Sequence, residues 1–282
     1  MIPEIPIDRF EVFIGGLDHP ECCAFDREGN LWAGGEAGQI YRIDPTGKLE
    51  TIASLGGFCG GLAFSPDDRE LFACVAGVGI VRVSKSGEHR VFAKHAGDHQ
   101  IVAANYLLFD RRGRIYVTDS GHWMKRNGFV LRFEPDGRGE VLTGPLGYAN
   151  GLALSADEGQ LFMVESDSDS VFRFQIGSDD RLTKHEVYAA QVGRLPDGLA
   201  LDVQGNLYVC CYASDEIWRV SHDREKTLLA HDRWGILLGR PTNLAFGGKD
   251  FDEIYVANLG RYTITRAKLG IRGQPLANLQ GT

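Results

Sequence analysis

Long apolar runs are missing from this sequence of 282 residues. A transmembrane helix needs about 20 consecutive apolar residues, so no membrane partner is predicted. The opening stretch MIPEIPIDRFEVF lacks the basic and apolar regions of a secretory signal peptide. Acidic residues outnumber basic ones, and the net charge of −8 argues against a nucleic-acid or anionic-membrane partner. We therefore predict a cytoplasmic protein.

Cysteine is scarce and is not spaced for a disulfide framework or a zinc site. Four of the six cysteines form two adjacent pairs, Cys22–Cys23 and Cys210–Cys211. Such pairs within strand-like runs predict buried, reduced thiols. The G-x-S-x-G elbow is also missing, which leaves a serine-triad hydrolase without support.

A short phrase recurs six times, with one leading residue, four mostly apolar residues and then Asp, Ser or Gly. The copies ECCAFD, GGLAFS, NYLLFD, NGLALS, DGLALD and TNLAFG begin at Glu21, Gly60, Asn105, Asn150, Asp197 and Thr242. Their starts lie 39 to 47 positions apart. A period near 45 built from strand-like pieces is typical of a β-propeller. The repeats leave no room for a second domain, so we predict one propeller domain over residues 1–282.

Each repeat predicts a blade of four antiparallel strands. The second strand is a continuous apolar run such as LFAC, and the third carries an arginine in all six repeats. An arginine shared by all repeats predicts a structural role at the blade edges. The sixth repeat lacks a fourth strand, whereas FEVFI at residues 10–14 matches the missing piece. We therefore predict an all-β, six-bladed propeller whose N-terminal strand closes the last blade.

Oxygen-bearing side chains lead four repeats: Glu21, Asn105, Asn150 and Asp197. The first strands of all blades begin on one face, so these side chains should meet at one mouth of the central channel. Two carboxylates there would repel each other and lose solvation unless a cation is bound. An all-oxygen set selects a hard ion, Ca²⁺ first, with Mg²⁺ or Mn²⁺ as alternatives; Zn²⁺ also accepts oxygen ligands. A polar, water-filled funnel without metal is the competing interpretation.

The longest loops open on the same mouth and predict a substrate pocket. They are AKHAGDHQIVAA, DSGHWMKRNG and HDRWGILLGR. The candidate substrate contacts are Asn105, Asp119, His122, Trp123, Tyr148 and Trp234. Asp119 has turn capping as its alternative role. His95, Asp98 and His99 are candidates for a second metal site or an acid–base group, against a plain solvated loop.

The repeat phrases of this sequence resemble those of the SMP-30/gluconolactonase/luciferin-regenerating-enzyme family. The resemblance covers nearly the whole chain and includes HPE, ANGLALS followed by LFMVES, LPDGLALD followed by NLYV, and RPTNLAFGG followed by EIYVAN. The leading residues Glu, Asn, Asn and Asp in repeats one, three, four and five, in that order, are its more specific part.

The resemblance implies that Glu21, Asn150 and Asp197 hold one divalent metal, with Asn105 beside it holding the substrate. It also implies that Asp197 acts as the base. The implied reaction is hydrolysis of a lactone or related cyclic ester, in which the metal polarises the carbonyl and an activated water attacks.

One position departs from the family pattern, because sugar-lactone members carry an arginine where this chain has Ala103. Together with Phe58, Tyr106 and Tyr212 around the mouth, this favours an apolar or aromatic lactone or ester over gluconolactone. Two alternatives stay open: the same metal used as a Lewis acid for non-hydrolytic chemistry, or a non-catalytic propeller that binds a ligand or protein. The sequence leaves the oligomeric state open.

Overall fold

The computed structural model describes residues 3–280 of the chain. Within that range the strands assemble into six four-stranded antiparallel sheets, the six-bladed β-propeller expected from the repeats. None of the helices in the described range is long and apolar enough to cross a membrane. In residues 3–280 the helical segments are three short 3₁₀ turns, Ile7–Arg9, Ser166–Ser168 and Ala277–Leu279.

The strands follow the repeats in chain order, and β1 (Glu11–Gly15) precedes the first repeat. The strands of blades one to three, with a small hairpin before the third, are β2 (Cys23–Phe25), β3 (Leu31–Gly34), β4 (Gln39–Ile43), β5 (Leu49–Ser54); β6 (Cys59–Phe64), β7 (Glu70–Val75), β8 (Gly79–Ser84), β9 (His89–Ala93); the hairpin β10 (His95–Ala96) and β11 (His99–Gln100); and β12 (Ala104–Phe109), β13 (Ile115–Asp119), β14 (Gly128–Phe133), β15 (Gly139–Leu146). Those of blades four to six are β16 (Ala149–Leu154), β17 (Gln160–Glu165), β18 (Ser170–Ile176), β19 (Leu182–Ala190); β20 (Pro196–Leu201), β21 (Leu207–Cys211), β22 (Glu216–Val220), β23 (Lys226–His231); and β24 (Pro241–Gly247), β25 (Glu253–Asn258), β26 (Thr263–Lys268).

The N-terminal strand completes the last blade, as predicted. The sheet order is β1-β26-β25-β24, and β1 pairs antiparallel with β26 through Glu11 opposite Arg266. The chain therefore supplies the fourth strand of blade six from its beginning and the other three from its end.

The chain divides into two compact units. Within the described range, the first unit contains residues 3–21 and Ala153–Gln274, and the second contains Cys22–Leu152 and residues 275–280. Each unit has its own buried clusters, represented by Leu199, Val209 and Leu244 in the first and by Trp32, Leu71 and Phe133 in the second. The prediction of one domain over the whole chain stays a prediction.

The arginine shared by all six third strands forms ion pairs with glutamate, which accounts for its repetition. Where a glutamate lies directly opposite on the fourth strand, as Glu50 does for Arg42, the two pair across the strands. In blade two the opposite residue is Arg90, so Arg82 instead pairs with Glu70 of the second strand at 2.7 Å. The six pairs are Arg42–Glu50, Arg82–Glu70, Arg132–Glu140, Arg173–Glu186, Arg219–Glu4 and Arg266–Glu11. This structural role was predicted from the sequence.

The cysteines are buried and free, as predicted. Burial raises the pKa of the Cys59 thiol to about 12. A thiol with so high a pKa is protonated at neutral pH and is a poor nucleophile.

Candidate active site

The leading residues of four repeats lie where the first strand of the blade has a β-bulge. In the first unit, Asp197 falls between Pro196 and Leu199, where two residues of β20 face a single residue of β21. Thr242 occupies the same kind of irregularity at the start of β24. Bulges redirect side chains and are common beside active sites. The repeat therefore places its leading side chains at backbone positions freed from regular β alternation.

Glu21 and Asp197 interact electrostatically within the first unit. Glu21 is 8% exposed, and its Oε2 atom accepts no hydrogen bond from residues 3–280. Burial raises the pKa of Glu21 well above its ordinary value, the charge of Asp197 raises it further, and the Thr242 hydroxyl offsets part of the rise. Asp197 is half-buried and is the more accessible of the two carboxylates. The pair is an electrostatically costly arrangement that a cation would stabilise.

Two buried hydroxyls fix the backbone at these carboxylates. The Thr242 hydroxyl donates to the Glu21 carbonyl at 2.7 Å. The Ser166 hydroxyl, just after β17, donates to the carbonyl of Pro196 at 2.6 Å, one residue before Asp197. The sequence carries no signal for these two roles beyond the place of Thr242 as the leading residue of the sixth repeat.

In the second unit, Asn105 and Asn150 both lie at the starts of first strands. Asn105 is half-buried at the bulge between Ala104 and Tyr106, and Asn150 is 4% exposed in β16. The hydroxyl of Ser120 donates to the carbonyl of Ala149 at 2.6 Å, which fixes the backbone just before Asn150. This repeats the arrangement that Ser166 makes in the first unit.

Asp119 is fully buried, and its carboxylate binds the segment that leads into β12. Oδ1 accepts hydrogen bonds from the backbone N–H groups of Ala103 at 2.7 Å and Gly121 at 3.1 Å. Oδ2 accepts from the N–H of Val102 and lies 2.9 Å from Nε2 of His99. Both oxygens are thus engaged inside the protein, and direct substrate contact by Asp119 stays a prediction.

The predicted solvated loop around His95 and His99 is instead a short hairpin, β10 paired with β11. The ring of His99 lies 4.4 Å from that of Phe129 and binds Asp119, so its side chain is largely buried. His95 and Asp98 are exposed. This hairpin is not predictable from the sequence, because strands of two residues carry no periodic signal.

The aromatic candidates are accessible but differ in their surroundings. In the second unit, Trp123 is 46% exposed and packs edge-on against Tyr148, with 4.8 Å between ring centroids. His122 is exposed and is held by hydrogen bonds with Asn127. In the first unit, Trp234 is 73% exposed.

The loop that carries Trp234 is rigidly built. Both carboxylate oxygens of Asp232 accept hydrogen bonds. Oδ1 accepts from the N–H of Trp234, and Oδ2 accepts from the N–H groups of Ile236, Leu237 and Leu238. Burial alone would raise the pKa of Asp232, but these four donors outweigh burial and hold the pKa below its ordinary value. The exposure of Trp234 is therefore a fixed feature of the loop.

A family comparison decides the classification. The model of the SMP-30/Gluconolactonase/LRE-like region matches residues 19–259 of the chain. The chain belongs to this family. The matched region of the SMP-30/gluconolactonase-like chain contains all six leading positions, from Glu21 to Thr242.

Curated relatives include lactonases of modest identity. A gluconolactonase from Zymomonas mobilis is 28% identical over 244 residues, which cover 76% of this chain and 65% of that protein, just under two thirds. A 6-deoxy-6-sulfogluconolactonase from Pseudomonas putida is 24% identical over 243 residues, covering 80% of this chain and 78% of that protein. A solved structure of a calcium-binding protein, regucalcin, from Agrobacterium tumefaciens matches with a TM-score of 0.78 at 17% identity, covering 97% of each chain. At that identity the structural likeness shows the shared fold.

Proposed function

We propose that this protein is a divalent-metal-dependent hydrolase that opens a lactone or related cyclic ester of small-molecule size. The observation that carries the proposal is the buried Glu21 carboxylate, whose Oε2 has no donor among the described residues and which interacts with the charge of Asp197. Two neighbouring carboxylates with an unsatisfied oxygen fit a bound cation. The lactonases among the relatives support the reaction class.

The donor set favours Ca²⁺, with Mg²⁺, Mn²⁺ or Zn²⁺ as alternatives. Glu21 and Asp197 offer the hard oxygen donors that Ca²⁺ prefers. Asn150 is proposed as the third protein ligand and Asn105 as a residue that holds the substrate, both from their places in the repeat and the family resemblance. The Agrobacterium relative is described as calcium-binding, which supports the choice of ion.

When bound, the metal supplies positive charge that polarises the lactone carbonyl and stabilises the charge that develops on its oxygen. Asp197 takes a proton from the attacking water as the new carbon–oxygen bond forms, because it is the more accessible carboxylate. The ring carbon–oxygen bond then breaks, and Asp197 gives the proton it took from the water to the ring oxygen, which becomes the hydroxyl of a hydroxy acid. Glu21 is more deeply buried and would act as a charged metal ligand, so it takes no part in these proton transfers.

The exposed aromatic side chains are proposed to contact the substrate. Trp123 and Tyr148 form one fixed pair, and Trp234 is held outward by the Asp232 loop. His122 is proposed as a polar contact beside Trp123. Asp119 is proposed to act through the backbone it binds ahead of Asn105.

The test has two parts: analysis of the bound metal, and an assay of a panel of γ- and δ-lactones in which ring opening is measured by the release of acid. Stoichiometric Ca²⁺ and turnover that EDTA abolishes are expected. Asp197→Asn should lower kcat by about 100- to 10,000-fold, the usual contribution of a general base. The matched control is Asp179→Asn, which changes an exposed carboxyl in the turn between β18 and β19 and should retain activity.

Two results would overturn the proposal. The first is turnover that persists undiminished in EDTA or in Asp197→Asn. The second is stoichiometric metal with no lactone opened, which would favour Lewis-acid chemistry other than hydrolysis.

A further inference from the structure

One position of the repeat adopts an unusual backbone conformation. In the first unit, the residues two positions before the leading residues Glu21, Asp197 and Thr242 are His19, Leu195 and Arg240. Their φ angles are 42°, 48° and 55°, in the left-handed region that favours glycine. Side chains held in this region are uncommon and cluster at functional sites. The first unit therefore presents three side chains from equivalent strained positions.

Arg240 is held firmly in this conformation. Its N–H donates to Oδ1 of Asp215 at 2.7 Å, and its carbonyl accepts from the N–H of Leu259 at 3.0 Å. The guanidinium lies over the ring of Tyr212, 5.2 Å from the centroid. The stem packs so tightly against Gly260 that a Cβ there would lie 2.5 Å from Arg240 Cγ. The side chain is thus preorganised, and a ligand would not have to order it.

The guanidinium of Arg240 is exposed and makes no ion pair with any carboxylate in residues 3–280. By contrast, the arginines of all six third strands are paired with glutamate. Arginine donors fixed in place without an anion, in a chain of net charge −8, are suited to an anionic ligand.

Backbone contacts connect Arg240 with the two carboxylates of the first unit. The N–H of Tyr212, on which Arg240 lies, donates to the carbonyl of Leu195 at 3.0 Å, two residues before Asp197. Thr242, two residues after Arg240, donates to the carbonyl of Glu21 at 2.7 Å. Arg240 is therefore connected, through Tyr212 and Thr242, to the two segments of the first unit that carry Asp197 and Glu21.

We propose that Arg240 binds a carboxylate substituent of the substrate, so that the preferred class is a lactone that carries a free carboxylate. The planar guanidinium matches a carboxylate with two parallel hydrogen bonds, a geometry that a lysine does not offer. The proposal rests on the proposed function and names the substrate class for the same site. Arg240 would thus add a cationic anchor for the carboxylate to the apolar and aromatic surroundings of the pocket.

The test compares two substrates that differ only in charge, 4-carboxy-γ-butyrolactone and its methyl ester. The wild-type protein is expected to prefer the free acid. Arg240→Gln should lower that preference, the ratio of the two kcat/KM values, by about 10- to 100-fold through the KM of the acid, as expected for loss of a charge-assisted pair. Arg240→Lys should recover only part of the preference, because it keeps the charge without the planar donors.

Arg233→Gln is the matched control, since Arg233 is also exposed and lies 5.2 Å over the ring of Trp234. An equal loss in Arg233→Gln, or an unchanged preference in Arg240→Gln, would overturn the inference. If no lactone is opened, the proposed function fails, and calorimetric binding of the same acid still decides the inference. Binding that is equal in the wild-type protein and in folded Arg240→Gln would then reject it.

Discussion

Replacing Glu21 by glutamine should stabilise the metal-free protein while weakening its affinity for Ca²⁺. The substitution keeps the shape of the side chain and removes one of two like charges in a buried place. It also supplies an amide that can satisfy part of the site without a cation. Metal binding should suffer, because a divalent ion loses a charged oxygen ligand.

The expected size of the stability change follows from the proton bound by Glu21. Burial, reinforced by Asp197, raises the pKa of Glu21 well above its ordinary value of 4.5. Between these two pKa values the folded metal-free chain binds more protons than the unfolded chain. Its free energy of unfolding should therefore fall as pH rises through that window, by up to about 1.4 kcal/mol per pH unit. The contribution of Glu21 protonation to the free energy of unfolding is fully present below pH 4.5. Glutamine does not titrate, so the Glu21→Gln variant should lose this pH dependence.

The assay is chemical denaturation of EDTA-treated protein at several pH values from 4.5 upward, repeated with Ca²⁺. Glu88→Gln is the control, because it removes an exposed carboxylate. The wild-type protein and the control should share the falling profile, and Glu21→Gln should lack it and gain least from Ca²⁺. If Glu21→Gln shows the wild-type profile and the same stabilisation by Ca²⁺, the pairing of Glu21 with Asp197 around a cation is refuted.

Two further substitutions test the packing around the site. Gly198→Ala places a Cβ about 2.4 Å from the side chain of Asn243, so we expect a loss of about 1–3 kcal/mol in denaturant unfolding and a lower kcat as Asp197 is displaced. Asp119→Asn removes the charged acceptor shared by three backbone N–H groups and His99, and should cost about 3 kcal/mol. Unchanged unfolding of Asp119→Asn would show that the network contributes nothing measurable.

The fold was predictable because its signals are local and repeated. Short apolar runs separated by turn residues mark the strands, and the repeated copies reinforce one another. Even the closure of the last blade could be predicted, since FEVFI matches the strand that the sixth repeat lacks. The hairpin at His95–Gln100 escaped because its strands are too short for a periodic pattern.

The candidate site was predictable in its residue types but not in its geometry. Glu21 and Asp197 could be grouped from their equivalent positions, and their interaction is present in the first unit. The bulges could not be predicted, because they depend on how two strands pair and not on the composition of either strand. The hydrogen bonds of the Ser166 and Ser120 hydroxyls could not be predicted from the sequence either, because each joins residues about 30 positions apart.

The strained position two residues before Glu21, Asp197 and Thr242 shows that a sequence repeat can keep its backbone while varying its chemistry. Glycine would relieve a positive φ, yet the first unit uses histidine, leucine and arginine there. The conformation persists because hydrogen bonds from neighbouring segments fix it, as Asp215 and Leu259 do on either side of Arg240. The scaffold thus sets the direction of the side chain, while the residue type determines what that side chain can bind. If Arg240 binds the substrate as proposed, we expect substitutions at this repeat position to change specificity while Glu21 and Asp197 stay in place.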